Sequence, residues 1–401
     1  MTNAIDVAII GAGPYGLSLA AHLDGLGVSH RIFGRPLDTW RNHMPRTMQL
    51  KSEGLASSLS SPKDGSRLEH YCAAHDLAYR DHDLPVGLDQ FNAYATSFAE
   101  RFVPELEDTL VTGLVRDGED FALTLATGER LTARKVVMAV GITSFAYTPQ
   151  MLSGLGARVS HSWDHRDAGQ FAGKDVVVLG AGASAIDTAA LLDDCGAKVK
   201  ILARTPVVRY HSPPDPDAGS LLKSIQKPQT GIGPGWRSFF CTAMPLVFHK
   251  LPEAVRLRAT RTHLGPAPGW FMRERIEGRV PTLLSRELKR AGLKDGRVSL
   301  ETSEETLSCD HVVAATGYRT HVDRLGWIAP GLRAGIDTVK KTPILTDNFE
   351  TSVRGLYFMG PAAANSFGPL MRFMVGSEFA APRLAGHLHR RLGAASERRA
   401  A

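Results

Sequence analysis

Two runs of four apolar residues, Val7–Ile10 and Val176–Leu179, begin the same pattern twice along the chain. Four consecutive apolar positions suit a strand buried on both faces of a parallel sheet. Each run leads into a glycine turn and then into an Ala- and Leu-rich stretch, Leu17–Leu23 and Ile186–Leu192, whose composition favours helix. The pattern predicts a strand, a tight turn and a helix in two copies. A further strand follows each copy, at Ser29–Phe33 and at Lys198–Arg204. The fold class expected is α/β, with two Rossmann-like dinucleotide-binding domains.

The turns carry the chemistry. Gly11 and Gly180 permit the bend, and Gly13 and Gly182 let backbone N–H groups approach a pyrophosphate. Gly16 and Ala185 let the helix pack closely on its strand. Pro14, Tyr15, Ala183 and Ser184 complete the turns, where the helix N-terminus offers partial positive charge to phosphate. Two such units imply two dinucleotides. The second strand of the second unit ends in Arg204 where an acid would accept the 2′-OH of NAD, so NADPH is expected there. In the first unit Gly34-Arg35 stands where Asp or Glu is usual; Asp38 or a backbone group is left to hold that ribose.

The 401 residues (43.4 kDa) suggest two to three domains, and 43% hydrophobic with 22% charged residues reads as globular. Lys and Arg (47) exceed Asp and Glu (41), but no dense basic stripe with interleaved aromatics occurs, which argues against nucleic acid. Four dispersed cysteines, Cys72, Cys195, Cys241 and Cys309, form no Cys-x-x-Cys pair; they fit a reducing cytoplasm and exclude a dithiol centre. Met1–Asp6 is polar and reads as no signal peptide, and no apolar run is long enough to span a membrane. His70, Cys72, His75 and His82 match no zinc spacing, so no metal is expected.

An N-terminal fingerprint, a second one mid-chain and a return to the first domain resemble the two-dinucleotide flavoproteins. Val137–Gly141 and Val313–Tyr318 resemble their domain crossovers, and Gly355–Gly360 their last strand beside the flavin. The missing dithiol sets the chain apart from disulfide reductases. It resembles instead the class B flavin monooxygenases, the flavin-containing, N-hydroxylating and Baeyer–Villiger group. His161–His165 lies where that group carries its identifying His-x-x-x-Tyr, with His165 at the Tyr position and Gly156 one residue too far ahead. Trp40-Arg41 resembles the segment near the flavin pyrophosphate, and Met48–Lys51 the one passing the isoalloxazine ring.

The resemblance implies FAD and NADPH as cofactors, O2 and a small molecule as substrates, and oxygen transfer through a flavin C4a-peroxide. It implies cofactor contacts at Arg35, Trp40, Arg41, Leu50, Gly141, His161, Ser162, Gly317, Gly360, Phe367 and Gly368, with Lys51 and Arg372 as cations near the ring. A helix Leu370–Phe379 after Gly368-Pro369 is expected to aim its dipole at the flavin. Residues 1–150 and 316–401 are assigned to the FAD domain and 155–315 to an inserted NADPH domain. Within the latter, the Pro-, Gly- and aromatic-rich 210–271 is read as an ordered lobe over the cleft. The tail Arg390–Ala401 is expected to fray. A reductase or oxidase without oxygenation, or a non-enzymatic redox sensor, stays open as the alternative. Substrate and oligomeric state are not legible.

Overall fold

The computed structural model describes residues 5–213, 220 and 225–400. Its first sheet is built on β1 (Ile5–Ile10), β2 (His30–Phe33), β3 (Val111–Asp117), β4 (Asp120–Leu125) and β5 (Arg130–Met138), in the order β2-β1-β5-β4-β3. β1 runs parallel to both β2 and β5, with Val7 opposite His30 and Lys135. Val7, Ala8 and Ile9 are wholly buried, as a central parallel strand requires. Helix α1 (Pro14–Gly25) follows the first turn, with Pro14 at the position where a missing N–H does no harm. The strand Leu356–Phe358 pairs in parallel with Val136–Met138 of β5, beyond the point where β4 leaves it.

A second, parallel sheet holds β6 (Val159–His161), β7 (Asp175–Leu179), β8 (Lys198–Leu202), β9 (Thr282–Leu283) and, between β6 and β7, His311–Ala314. Val176 and Val178 face one side with Ile186, Ala189 and Ala190; Val177 faces the other with Leu300 and Leu307. Alternating burial on both faces explains the uninterrupted apolar run. The short helix α2 (Asp38–Asn42) follows β2, while α3 (Leu68–Ala74) and α4 (Leu88–Phe102) build the excursion between the first sheet's strands. Helix α5 (Ala183–Asp194) covers one face of the second sheet.

Three expectations change. Residues 370–379 form no single helix: two 3-10 turns, Pro369–Arg372 and Met374–Gly376, precede a long helix from Ser377 to Ala400. The buried hydroxyl of Tyr15 donates to the carbonyls of Met371 and Phe373, and Phe373 is extended, so the backbone cannot close α-helical bonds there. No α-helix dipole therefore starts at Gly368-Pro369. Of the tail, Arg390–Ala400 continues that long helix, whose Ala380, Ala381, Leu384, Ala385, Leu388 and Leu392 make a buried stripe at helical spacing, and Ala401 lies outside the described residues. The lobe is ordered in its described part, in α6 (Trp236–Ala243), α7 (Pro245–Lys250) and α8 (Glu253–Thr262), while Pro214 and Pro216 lie outside the described residues. Its buried Ile232, Cys241 and Phe248 join the core of the first sheet rather than that of the second.

Candidate functional site

The first turn has the shape of a phosphate cradle. Gly11 adopts φ +117°, open to glycine, and a Cβ at Gly11 or Gly16 would collide with the carbonyl of Ala139 or Gly11 respectively. At Gly13 a Cβ would meet nothing within 4 Å, so the backbone faces free space at the start of α1. A dinucleotide pyrophosphate fits this turn. The side chain of Tyr15, by contrast, is turned into the core and held by Met371 and Phe373. Gly34 is pressed against the turn, its Cβ position 3.0 Å from the Ala12 nitrogen, which leaves no room for the usual acid. Arg35 is exposed just beyond, and Asp38 binds Asn42 (2.7 Å) and His43 (3.3 Å) of its own segment. Trp40 packs on Phe91 with ring centroids 5.5 Å apart, while Arg41 is exposed.

The second turn repeats the geometry with one difference. Gly180 has φ +136° beside the Ala315 carbonyl, and Ala185 is wholly buried. Here the N–H of Ala183 donates to the Pro266 carbonyl (2.6 Å), and a Cβ at Gly182 would lie 3.0 Å from the same oxygen. The segment Leu264–Gly269 thus leans on the start of α5. Next to it lies a small cavity of about 160 Å³ lined by Ala183, Ser184, Ser162, Asp187, Thr188, Lys51 and Tyr318. Ser162 Oγ, Asp187 Oδ1 and Thr188 Oγ1 are buried there without a hydrogen-bond partner. Three such orphans around one cavity fit the polar groups of a second nucleotide. Arg204 is exposed one residue past the Ala203 that follows β8.

Lys51 links the two units. Its Nζ lies 2.5 Å from Asp187 Oδ2 and 3.0 Å from the Gln49 carbonyl. Asp187 is 5% exposed; burial pushes its carboxyl above the usual carboxylate range, and the Lys51 ammonium opposes that rise. Lys51 also lines the main cleft, about 1380 Å³, together with Leu50, Ala183, Ser184, Gly317, Tyr318, Arg372 and the segments Gly231–Pro234 and Leu264–Ala267. Arg372 donates to the carbonyls of His263 (2.7 Å) and Leu264 (3.0 Å), which anchors it to the lobe.

His161 serves the fold. Its Nδ1 accepts from the Trp163 N–H, so its Nε2 carries the proton and donates to the Gly317 carbonyl at 3.1 Å. Both ring nitrogens are engaged, and burial lowers the imidazole's pKa, so this side chain has no hydrogen bond left for a nucleotide. Phe367 is likewise removed from the contact set: wholly buried, it is stacked between His249 (4.7 Å) and Phe349 (4.3 Å). Gly141 (φ +57°) and Gly317 (φ +77°) are partly exposed crossover turns. Gly360 sits against the Tyr15 ring and Gly368 against Phe248, with Cβ positions 3.2 and 3.1 Å from those rings. His70 and His75 are exposed, and the buried Cys72 sulfur accepts from Gln90, so this sequence cluster does not converge. Asp187 and Thr188 were missed in the sequence, although a carboxylate inside the apolar stretch Ala185–Leu192 is a signal.

Residues 8–227 match the family model of the pyridine nucleotide-disulphide oxidoreductases, and the chain belongs to that family. It is 25% identical over 389 residues to a probable indole-3-pyruvate monooxygenase of Arabidopsis thaliana, covering 90% of this chain and 83% of that protein. A ferredoxin–NADP reductase of Cupriavidus pinatubonensis is 31% identical over 51% of this chain and 52% of its own length. The fold matches an ornithine hydroxylase of Pseudomonas aeruginosa with TM-score 0.78, at 16% identity, over 97% of this chain and all of that one. The resemblance to flavin monooxygenases read from the motifs is borne out by these relatives.

Proposed function

We propose that this member of the pyridine nucleotide-disulphide oxidoreductase family is an NADPH-dependent, FAD-containing monooxygenase that places one atom of O2 on a small nucleophilic or carbonyl substrate. The observation that carries this reading is the cleft shared by both nucleotide units, where Leu50 and Lys51 of the first face Ala183 and Ser184 of the second. Residues 1–150 and 316–401 form the FAD domain and 155–315 the inserted NADPH domain, with the lobe's helices packed on the FAD side; the pairing of Leu356–Phe358 with β5 supports the return segment. When bound, FAD and NADPH supply the electron transfer and the activation of O2.

The chain's own residues bind, orient and shield. Backbone N–H groups of Ala12, Gly13 and the start of α1 after Pro14 hold the FAD pyrophosphate, the Gly11 N–H being spent on the Phe33 carbonyl, and the partly exposed Gly141 turn lets backbone approach the same cofactor. The hydroxyls of Ser162 and Thr188 and the carboxylate of Asp187 receive polar groups of the second nucleotide, with Ser184 at its phosphates and the Ala183 N–H spent on the Pro266 carbonyl. Arg204 receives the 2′-phosphate. Lys51, paired with Asp187, lines the same cleft as Arg372. Leu264–Phe271 and Gly231–Pro234 wall the cleft and would keep water from a flavin held there. The four cysteines are unpaired, so no dithiol takes the electrons; they also support a reducing cytoplasm as the working compartment. Among the described residues no helix is long and apolar enough to cross a membrane.

The test compares NADPH consumed, O2 consumed and hydrogen peroxide released across a panel of amines, sulfides and ketones. A substrate that speeds NADPH use without matching peroxide supports the reading. Stoichiometric peroxide with every candidate overturns it in favour of a reductase or oxidase, which the similarity to ferredoxin–NADP reductases over half the chain supports as the second reading.

A further inference from the structure

Helices α6, α7 and α8 follow one another with links of one residue, Met244, and of two, Leu251 and Pro252. Their inner sides are fixed by the buried Cys241, Phe248 and Thr260. Their outer sides leave large apolar groups in solvent: Trp236 is 59% exposed, Val247 51%, Val255 48% and Met244 46%. Ile225, also exposed, lies beside Trp236, whose Nε1 donates to the Ile225 carbonyl at 3.0 Å. The same stretch carries the exposed Arg237, Arg258 and Arg261 against one acid, Glu253, while Lys250 is paired with Asp347 (2.7 Å) and Arg256 is half-buried. Val255, Arg258 and Thr262 are spaced along one exposed helix face, with Arg261 exposed beside them. A bond from Arg237 to Thr262 Oγ1 (3.2 Å) draws the start of α6 to the end of α8, which brings the exposed Trp236 end of α6 to the exposed Arg261 end of α8.

We propose that this surface docks peripherally on a membrane with anionic headgroups. Apolar side chains with an indole among them, rimmed by arginine on short surface helices, suit the headgroup–acyl boundary, and the charge matches an acidic lipid surface. A second copy of the chain would meet its own positive charge. None of the side chains from Trp236 to Thr262 lines either cavity described above, so the surface is separate from the cleft. The segments flanking it, Gly231–Pro234 and Leu264–Phe271, do line the cleft, so docking sets the cleft mouth at the bilayer. This inference does not depend on the reaction assigned above.

The experiment sediments the full-length, FAD-loaded protein with vesicles of phosphatidylcholine alone or mixed with phosphatidylglycerol. Binding is expected only to the mixed vesicles, with a blue shift of tryptophan emission and loss of binding at high salt. Each arginine near the surface contributes about 5-fold in partitioning, so Arg258→Gln with Arg261→Gln is expected to weaken it roughly 25-fold. Trp236→Ala is expected to weaken it further while flavin absorbance stays unchanged. Equal or absent sedimentation with both vesicle types overturns the proposal, as does salt-insensitive binding by the unmodified protein. Capture on heparin without vesicle binding also overturns it, by assigning the surface to a soluble polyanion.

Discussion

Replacing Lys51 with Met preserves side-chain length and removes the ammonium that Asp187 faces. Asp187 is 5% exposed, with Oδ2 at 2.5 Å from Lys51 Nζ and Oδ1 unpartnered, so the variant strands a buried carboxylate. Removing one member of a buried pair costs about 3–5 kcal/mol, and because Lys51 keeps 19% exposure the lower end, about 3 kcal/mol, is expected at neutral pH. The pH dependence follows from burial, which already raises this carboxyl; without Lys51 it rises further. A carboxyl raised by folding favours the folded state when protonated and disfavours it as pH climbs through its folded pKa. The deficit of Lys51→Met is therefore full in mild alkali and shrinks on acidification. The double variant Lys51→Met with Asp187→Leu removes both charges and is expected to recover most of the loss. Urea unfolding of the FAD-loaded protein at about pH 8 and about pH 5 measures all three. A deficit equal at both pH values, or a double variant as unstable as the two single changes combined, would refute the pairing argument.

Gly13→Val adds a side chain where the fold leaves open space, so the chain folds but loses FAD, whereas Gly16→Val drives a side chain into the Gly11 carbonyl and disrupts folding itself. Far-ultraviolet circular dichroism and flavin release separate the two, and full FAD occupancy in Gly13→Val would count against the cradle. Arg204→Ala is expected to raise the KM for NADPH about 10-fold or more while leaving NADH nearly unchanged, the loss of one charge-assisted phosphate contact; equal loss for both cofactors would make Arg204 a structural residue. His311 bonds Ser160, which also bonds His165, and burial pushes its imidazole down to about 4. A lowered imidazole supports the fold above its ordinary pKa of 6.5 and loses that support as pH falls towards 4, so His311→Gln should flatten the acid limb of stability between those two values. An unchanged acid limb would show that this network does not govern it.

Both nucleotide turns were legible in the sequence because their chemistry is written locally: an apolar strand, glycines at fixed offsets and a helix need only adjacent residues to be recognised. The dipole expected after Gly368 failed because Tyr15, distant in the chain, takes the carbonyls of Met371 and Phe373 that a helix would use. The tail was read from its terminal position, although the stripe from Ala380 to Leu392 marks a helix that packs inward. His161 and Phe367 stood in motif positions, but the Gly317 carbonyl claims the one and stacked aromatic rings enclose the other. Lys51 acquires its partner only when segment 48–51 and helix α5, 136 residues apart in sequence, come together at the cleft. Propensity and spacing act along the chain, so the sequence by itself determined the two cradles. Which side chains face a ligand, and which are consumed in holding the fold, was decided by long-range packing, where each buried polar group must find a partner across the structure.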